Sequence, residues 1–121
     1  VWEAFFMYAR HETGKTGENQ ATEYLLKLGY TILERNWSRR SGEIDIIAKK
    51  DTVIYFFEVK TRSGWRYGHP FHAIGRRKRC MLRRLGLTYV TDHHLTYTGL
   101  AIGAIGIIGQ NIMFLPSIDK N

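Results

Sequence analysis

Two apolar runs, Ile44 to Ala48 and Val53 to Val59, stand on either side of the polar break Lys49-Lys50-Asp51-Thr52. β-Branched and aromatic residues bounded by a charged turn predict a β-hairpin. Upstream, Ala21, Tyr24, Leu25 and Leu28 recur at helical spacing and Gly29 supplies a stop, so a helix is expected from Lys15 onward. Tyr30 to Trp37 reads as a strand entering from Gly29, and Arg39-Arg40-Ser41-Gly42 as a basic turn into the hairpin. A loop from Thr61 to His69 follows. Pro70 then opens a second helical region, firmest from Ile74 to Val90, with Ile74, Met81, Leu82, Leu85 and Tyr89 as its apolar stripe. His93-His94 reads as a polar linker. The glycine-rich apolar stretch Leu95 to Pro116 predicts two closing strands joined by a glycine turn. Residues 1–13 carry no clear pattern and read as an N-terminal extension, with 14–121 as a single domain.

The hairpin carries the chemistry. With Lys49 opposite Thr52, Asp45 faces Phe56 and Glu43 faces Glu58, and Asp45, Glu58 and Lys60 project from one face. A slip of one residue would send Asp45 to the other face. Glu58, between Phe57 and Val59 at the end of an interior-looking strand, needs a partner if it is ionised. Two neighbouring carboxylates also raise each other's pKa. A divalent cation relieves both costs, and a few hard oxygen ligands suit Mg²⁺ holding a phosphate better than zinc. Lys60 could then orient a water or offset charge on phosphorus. The plain alternative is an ion pair between Glu58 and Lys60 at a strand end. Glu18 falls on the inward stripe of the first helix, near its N-terminus, where negative charge is favoured in any case.

Composition narrows the class. A chain of 121 residues with 44% hydrophobic and 24% charged residues is one globular domain. A net charge of +7 favours a polyanion, with nucleic acid ahead of a membrane. Six of the nine residues from Arg76 to Arg84 are basic, with no acid among them. Arg76, Arg77, Arg79, Arg83 and Arg84 make a face suited to a phosphate backbone. Lys78 falls on the apolar stripe, so its amine is directed toward the sheet. Arg62, Trp65, Arg66 and Tyr67 interleave cations and aromatics on the loop, a pattern that suits phosphate contact with base stacking. Cys80 is the only cysteine, which excludes an intrachain disulfide and a cysteine-based zinc site and suits the cytoplasm. Val1 to Ala9 is apolar but includes Glu3 and has no basic flank, so it is not read as a signal peptide.

Helix with Glu18, strand, strand with Asp45, strand with Glu58-Val59-Lys60, basic helix, then strands: this order resembles the PD-(D/E)xK nuclease superfamily. More closely, Gly17-Glu18, Gly29-Tyr30, Arg35-Asn36, Gly42-Glu43-Ile44-Asp45-Ile46-Ile47-Ala48 and Glu58-Val59-Lys60-Thr61-Arg62 resemble the YraN-like family of bacterial proteins. That family is related by fold to archaeal Holliday-junction resolvases. The resemblance implies an α/β, restriction-endonuclease-like fold, a central mixed sheet of about five strands flanked by helices. It implies that Asp45 and Glu58 bind the metal with the Val59 carbonyl, that Lys60 is the catalytic lysine, and that Glu18 completes the site. Glu43 and Lys78 are additional candidates. Mg²⁺, with Mn²⁺ as substitute, is the implied cofactor, and resolvase relatives make a homodimer an option. Ile44 stands where the superfamily has proline, and Thr96-Tyr97-Thr98-Gly99 stands where the family has an acidic strand.

Three functions are compatible with this reading. The first is a metal-dependent endonuclease acting on DNA, including branched or damaged DNA, with Arg62, Arg66 and the helix arginines on the backbone. The second is a non-catalytic nucleic-acid-binding module on the same fold. The third is an assembly subunit that uses the apolar tail as an interface.

Overall fold

The computed structural model describes residues 5–8 and 17–118. Six strands and two α-helices run in the order β1 (Phe5–Tyr8), α1 (Gly17–Lys27), β2 (Thr31–Arg39), β3 (Gly42–Lys50), β4 (Val53–Arg62), α2 (Arg76–Asp92), β5 (Gly99–Ile108) and β6 (Asn111–Leu115). Two short 3-10 turns, Trp65–Tyr67 and Pro70–Ala73, lie between β4 and α2. The strands form one sheet in the order β1-β6-β5-β4-β3-β2. Among the described strands only β4 and β5 are parallel, which is why the long α2 crossover separates them. This is the expected α/β architecture, a mixed sheet flanked by two helices.

β5 is buried along almost its whole length, which explains its unbroken apolar sequence. One difference from the expected organisation lies at the N-terminus. Phe5–Tyr8, read from sequence as part of an unpatterned extension, pair antiparallel with β6 as a sixth strand. The rest of residues 1–13, Trp2 included, lies outside the described residues. Four residues with no partner strand in sequence proximity give no local signal for such a pairing. The closing β5–β6 hairpin turns at Gly109 as expected. Thr96–Thr98 precede β5 rather than forming a strand of their own, and Thr98 N–H donates to the Thr52 carbonyl at 2.8 Å.

Two apolar layers hold the helices. On one face Ala21, Tyr24 and Leu25 of α1 pack with Ile46, Ala48, Phe57, Ile105 and Ile107. On the other, Leu82, Leu85, Tyr89 and Val90 of α2 pack with Ile47, Ile54, Phe56, Ile102 and Ala104. Ile74 is buried in this second layer but caps the preceding 3-10 turn instead of sitting on α2. Two glycines set how closely the helices approach. A Cβ at Gly86 would overlap the buried Phe56 ring, and one at Gly17 would overlap the Thr61 hydroxyl. Gly86→Ala is therefore expected to destabilise the protein by about 1–2 kcal/mol despite alanine's better helix propensity. Denaturant unfolding measures it, and a stabilised variant would mean that α2 can shift away without cost.

Candidate active site

The β3–β4 turn is as short as expected but sits one residue further along the chain. Lys50 pairs with Val53 and Ile46 with Phe57, so the register differs by two residues from one with Lys49 opposite Thr52. The cause is Asp51, whose φ of 56° lets the chain reverse over Asp51-Thr52 alone. A two-residue shift preserves which face each side chain occupies but changes its neighbour. Asp45, not Glu43, is therefore level with Glu58 just beyond the last paired residues. Glu43 pairs with Ser38 of β2 and is exposed.

At this point the strands fork. The Asp45 carboxylate, through Oδ2, accepts the Val59 N–H at 2.8 Å, taking a donor that a continued ladder would have used. Strict alternation would also put Ile44 on the α1 face with Ile46, yet Ile44 lies in the α2 layer. β2 changes face at the same level. Arg35, paired with Ile46, reaches α1, whereas Trp37, paired with Ile44, packs edge-on against Tyr89 of α2. Between them Asn36 adopts φ 53°, a left-handed conformation that asparagine tolerates better than most residues. The fork at Asp45 is thus built jointly by β2 and β3.

β4 continues regularly past the fork. Its alternation places Glu58 and Lys60 on the α2 face, in line with Ile54 and Phe56. The Glu58 side chain is 5% exposed, and its Oε2 takes two ammonium groups, Lys60 Nζ at 3.1 Å and Lys78 Nζ at 3.3 Å. Lys78 comes from the first turns of α2, so its amine does point toward the sheet. A carboxylate this deeply buried needs such counter-charge.

Glu18 reaches the site indirectly. Its Oε1 accepts from Arg35 Nη2 at 2.7 Å, Arg35 Nε at 3.2 Å and Asn36 Nδ2 at 2.9 Å. The α1 acid is therefore clamped to β2 and linked through Asn36 to the level of Asp45. Sequence reasoning assigned no role to Arg35 or Asn36 individually, since a contact across 17 or 18 residues leaves no periodic trace. The remaining candidates do not converge on this cluster. Arg76, Arg77, Arg83 and Arg84 are exposed along α2, with Arg79 half-buried. Arg62 and Arg66 flank the exposed Trp65 at the C-terminal end of β4.

The cluster offers hard oxygen donors. The bonds described use one oxygen of each carboxylate. Val59 presents its carbonyl to the same edge as its N–H, because in a strand both groups of a residue face one neighbour. Two carboxylates and a backbone carbonyl beside a fork fit a divalent hard cation. Among the described residues no three His, Cys, Asp or Glu side chains converge on one metal-sized position.

A family model described as "Uncharacterised protein family UPF0102" matches residues 17–112, which runs from α1 through β5 into the start of β6 and includes every residue of this cluster. The chain belongs to that family. It is 41% identical to a UPF0102 protein of Leifsonia xyli over 93% of this chain and 99% of the relative. It is 41% identical to one of Acidothermus cellulolyticus, over 81% of this chain and 74% of the relative. A third relative, from Caldicellulosiruptor saccharolyticus, is 44% identical over 67% of this chain and 69% of its own. Their names state the family and no activity. Among the described residues of this UPF0102 chain, no helix is long and apolar enough to cross a membrane.

Burial is the main cause that pushes the Asp45 carboxyl up to about 6; the Val59 N–H opposes the rise, while the charges of Glu58, Glu43 and Glu18 add to it. Between the ordinary value of 3.8 and about 6 the folded protein holds a proton that the unfolded chain releases. Stability in this UPF0102 protein should therefore fall as pH rises through that window. Asp45→Asn keeps an acceptor for Val59 and removes the charge. Without metal it should be more stable than wild type at pH 8 by about 1 kcal/mol, after solvent screening at this partly open position, and indistinguishable near pH 4. Melting curves across that range in EDTA decide it. A less stable variant at pH 8 would make Asp45 a purely structural acceptor.

Proposed function

We propose that this protein is a metal-dependent nuclease of the PD-(D/E)xK type, hydrolysing phosphodiester bonds in DNA. The observation that carries the reading is the fork itself: Asp45 joined to Val59, level with Glu58, with Lys60 two residues on at 3.1 Å from the Glu58 carboxylate. A purely structural ion pair would account for Glu58 and Lys60. It would not account for a third charged group, Asp45, held beside them with its pKa raised.

Asp45, Glu58 and the Val59 carbonyl would hold Mg²⁺, or Mn²⁺ in its place; once bound, the ion supplies Lewis-acid polarisation of the phosphate and a lowered water pKa. The chain's own groups do the rest. The Lys60 ammonium orients the attacking water and stabilises charge developing on the phosphate oxygens. Glu18, fixed by Arg35 and Asn36, keeps the level of Asp45 rigid and adds negative field there. Arg76, Arg77, Arg79, Arg83 and Arg84 line α2 next to Lys78, and Arg62 and Arg66 extend the cationic path past the end of β4. Trp65, half exposed between those two arginines, supports the choice of branched or damaged DNA, where unpaired bases can stack on an aromatic ring.

The test is an assay on single-stranded, duplex, flapped and four-way-junction DNA with Mg²⁺, Mn²⁺ or EDTA. Metal-dependent cleavage of at least one substrate is expected. Binding should weaken about tenfold or more between 50 and 200 mM salt, as release of several counterions requires. Salt-sensitive binding without cleavage on any substrate would instead establish a non-catalytic binding module.

A further inference from the structure

The cluster is charge-balanced before any metal arrives. Asp45 and Glu58 supply two carboxylates, Lys60 and Lys78 two ammoniums, and both ammoniums sit on the same oxygen, Glu58 Oε2. A divalent cation drawn to Asp45 and Glu58 would bring two further positive charges against them. The two lysines are not equivalent in their freedom to respond. Lys60 springs from β4 itself, two residues from Glu58. Lys78 reaches across from α2 and is the more exposed of the two, at 34% against 26%. Lys78 also lines an open depression of about 590 Å³ with Ser41, Gly75, Arg77, Met81 and Arg84. Its ammonium can therefore turn from Glu58 toward a basin that Arg77 and Arg84 also line, a place suited to a backbone phosphate.

We infer that Lys78 is a positioning residue that holds the cation's place on Glu58 in the free protein and swings to the phosphate when nucleic acid enters the Arg77–Arg84 depression, so that metal and nucleic acid bind cooperatively. The phosphate half of this inference rests on the nuclease reading; the competition between Lys78 and the cation does not. Linkage makes the effect reciprocal: whatever factor nucleic acid adds to metal affinity, metal adds to nucleic-acid affinity. The arrangement keeps the free protein weakly metallated and assembles the loaded site only on a substrate.

The test is Mn²⁺ binding by calorimetry at pH 7.5, alone and with a saturating phosphorothioate oligonucleotide that resists cleavage. In wild type the oligonucleotide should tighten Mn²⁺ about tenfold, within the usual range of site–site coupling. Lys78→Met, which keeps the stem, should bind Mn²⁺ about tenfold tighter than wild type in the free protein and gain less than about threefold from the oligonucleotide. Lys78→Arg should retain the coupling. Lys60→Met serves as the contrast: it also removes a cation from Glu58, so it should tighten free-protein binding while leaving the oligonucleotide effect intact. Should Lys78→Met prove misfolded by its melting curve, Lys78→Gln replaces it under the same criteria. Unchanged or weaker Mn²⁺ binding in a folded Lys78 variant would overturn the competition. Full coupling persisting in that variant would overturn the swing to phosphate. Failure of wild type to bind the oligonucleotide at all would overturn the nuclease reading and the cooperative half with it, while the free-protein comparison still decides whether Lys78 holds the cation's place.

Discussion

Lys60→Ala should lose cleavage by about a thousandfold or more, near 4 kcal/mol of transition-state stabilisation, while binding nucleic acid almost as well as wild type. The separation follows from where the charges lie. The Lys60 ammonium stands 3.1 Å from Glu58, inside the fork, whereas the exposed arginines of α2 lie outside it and supply the backbone contacts. The fold should survive, because Lys78 still covers the Glu58 oxygen at 3.3 Å. Single-turnover cleavage and oligonucleotide affinity, measured on one preparation, separate the two effects. Residual activity within tenfold of wild type would remove Lys60 from the reaction. Equal losses in binding and cleavage would make it a substrate-binding lysine only.

The second large effect concerns stability. Replacing both lysines, Lys60→Met with Lys78→Met, leaves the Glu58 carboxylate buried on the α2 face of β4 with neither ammonium. A buried charge stripped of its partners costs about 3–5 kcal/mol, here toward the lower end because both lysine heads are partly solvated. Each single replacement should cost much less, since the remaining ammonium stays on the same oxygen. Adding Glu58→Gln to the double variant should recover most of the loss, because a neutral amide carries no such desolvation penalty. Denaturant midpoints of the single, double and triple variants form the cycle. Additive small losses with no rescue would mean that water already solvates Glu58 in the fork.

Much of this was written in local patterns. The apolar spacing of Ala21, Tyr24 and Leu25, the break at Lys49–Thr52 and the glycine turn before Asn111 each report a local backbone preference, and each became the element expected. Period-2 alternation put Glu58 and Lys60 on one face, and helical periodicity turned Lys78 inward, because side-chain direction within an element follows from its own geometry. Tertiary structure alone decided who meets whom. Whether Asp45 or Glu43 lies level with Glu58 depended on a two-residue turn set by the backbone of Asp51. Whether Glu18 reached Asp45 or was clamped by Arg35 and Asn36 depended on a fork in which two strands change face together. The pairing of Phe5–Tyr8 with β6 joins segments more than 100 residues apart. The meeting of Lys60 and Lys78 on one oxygen required α2 to cross the sheet within reach of β4, an approach set by Gly86 against Phe56. Local sequence sets the direction of a side chain, but its partner comes from another segment of the chain, and only packing fixes that distance.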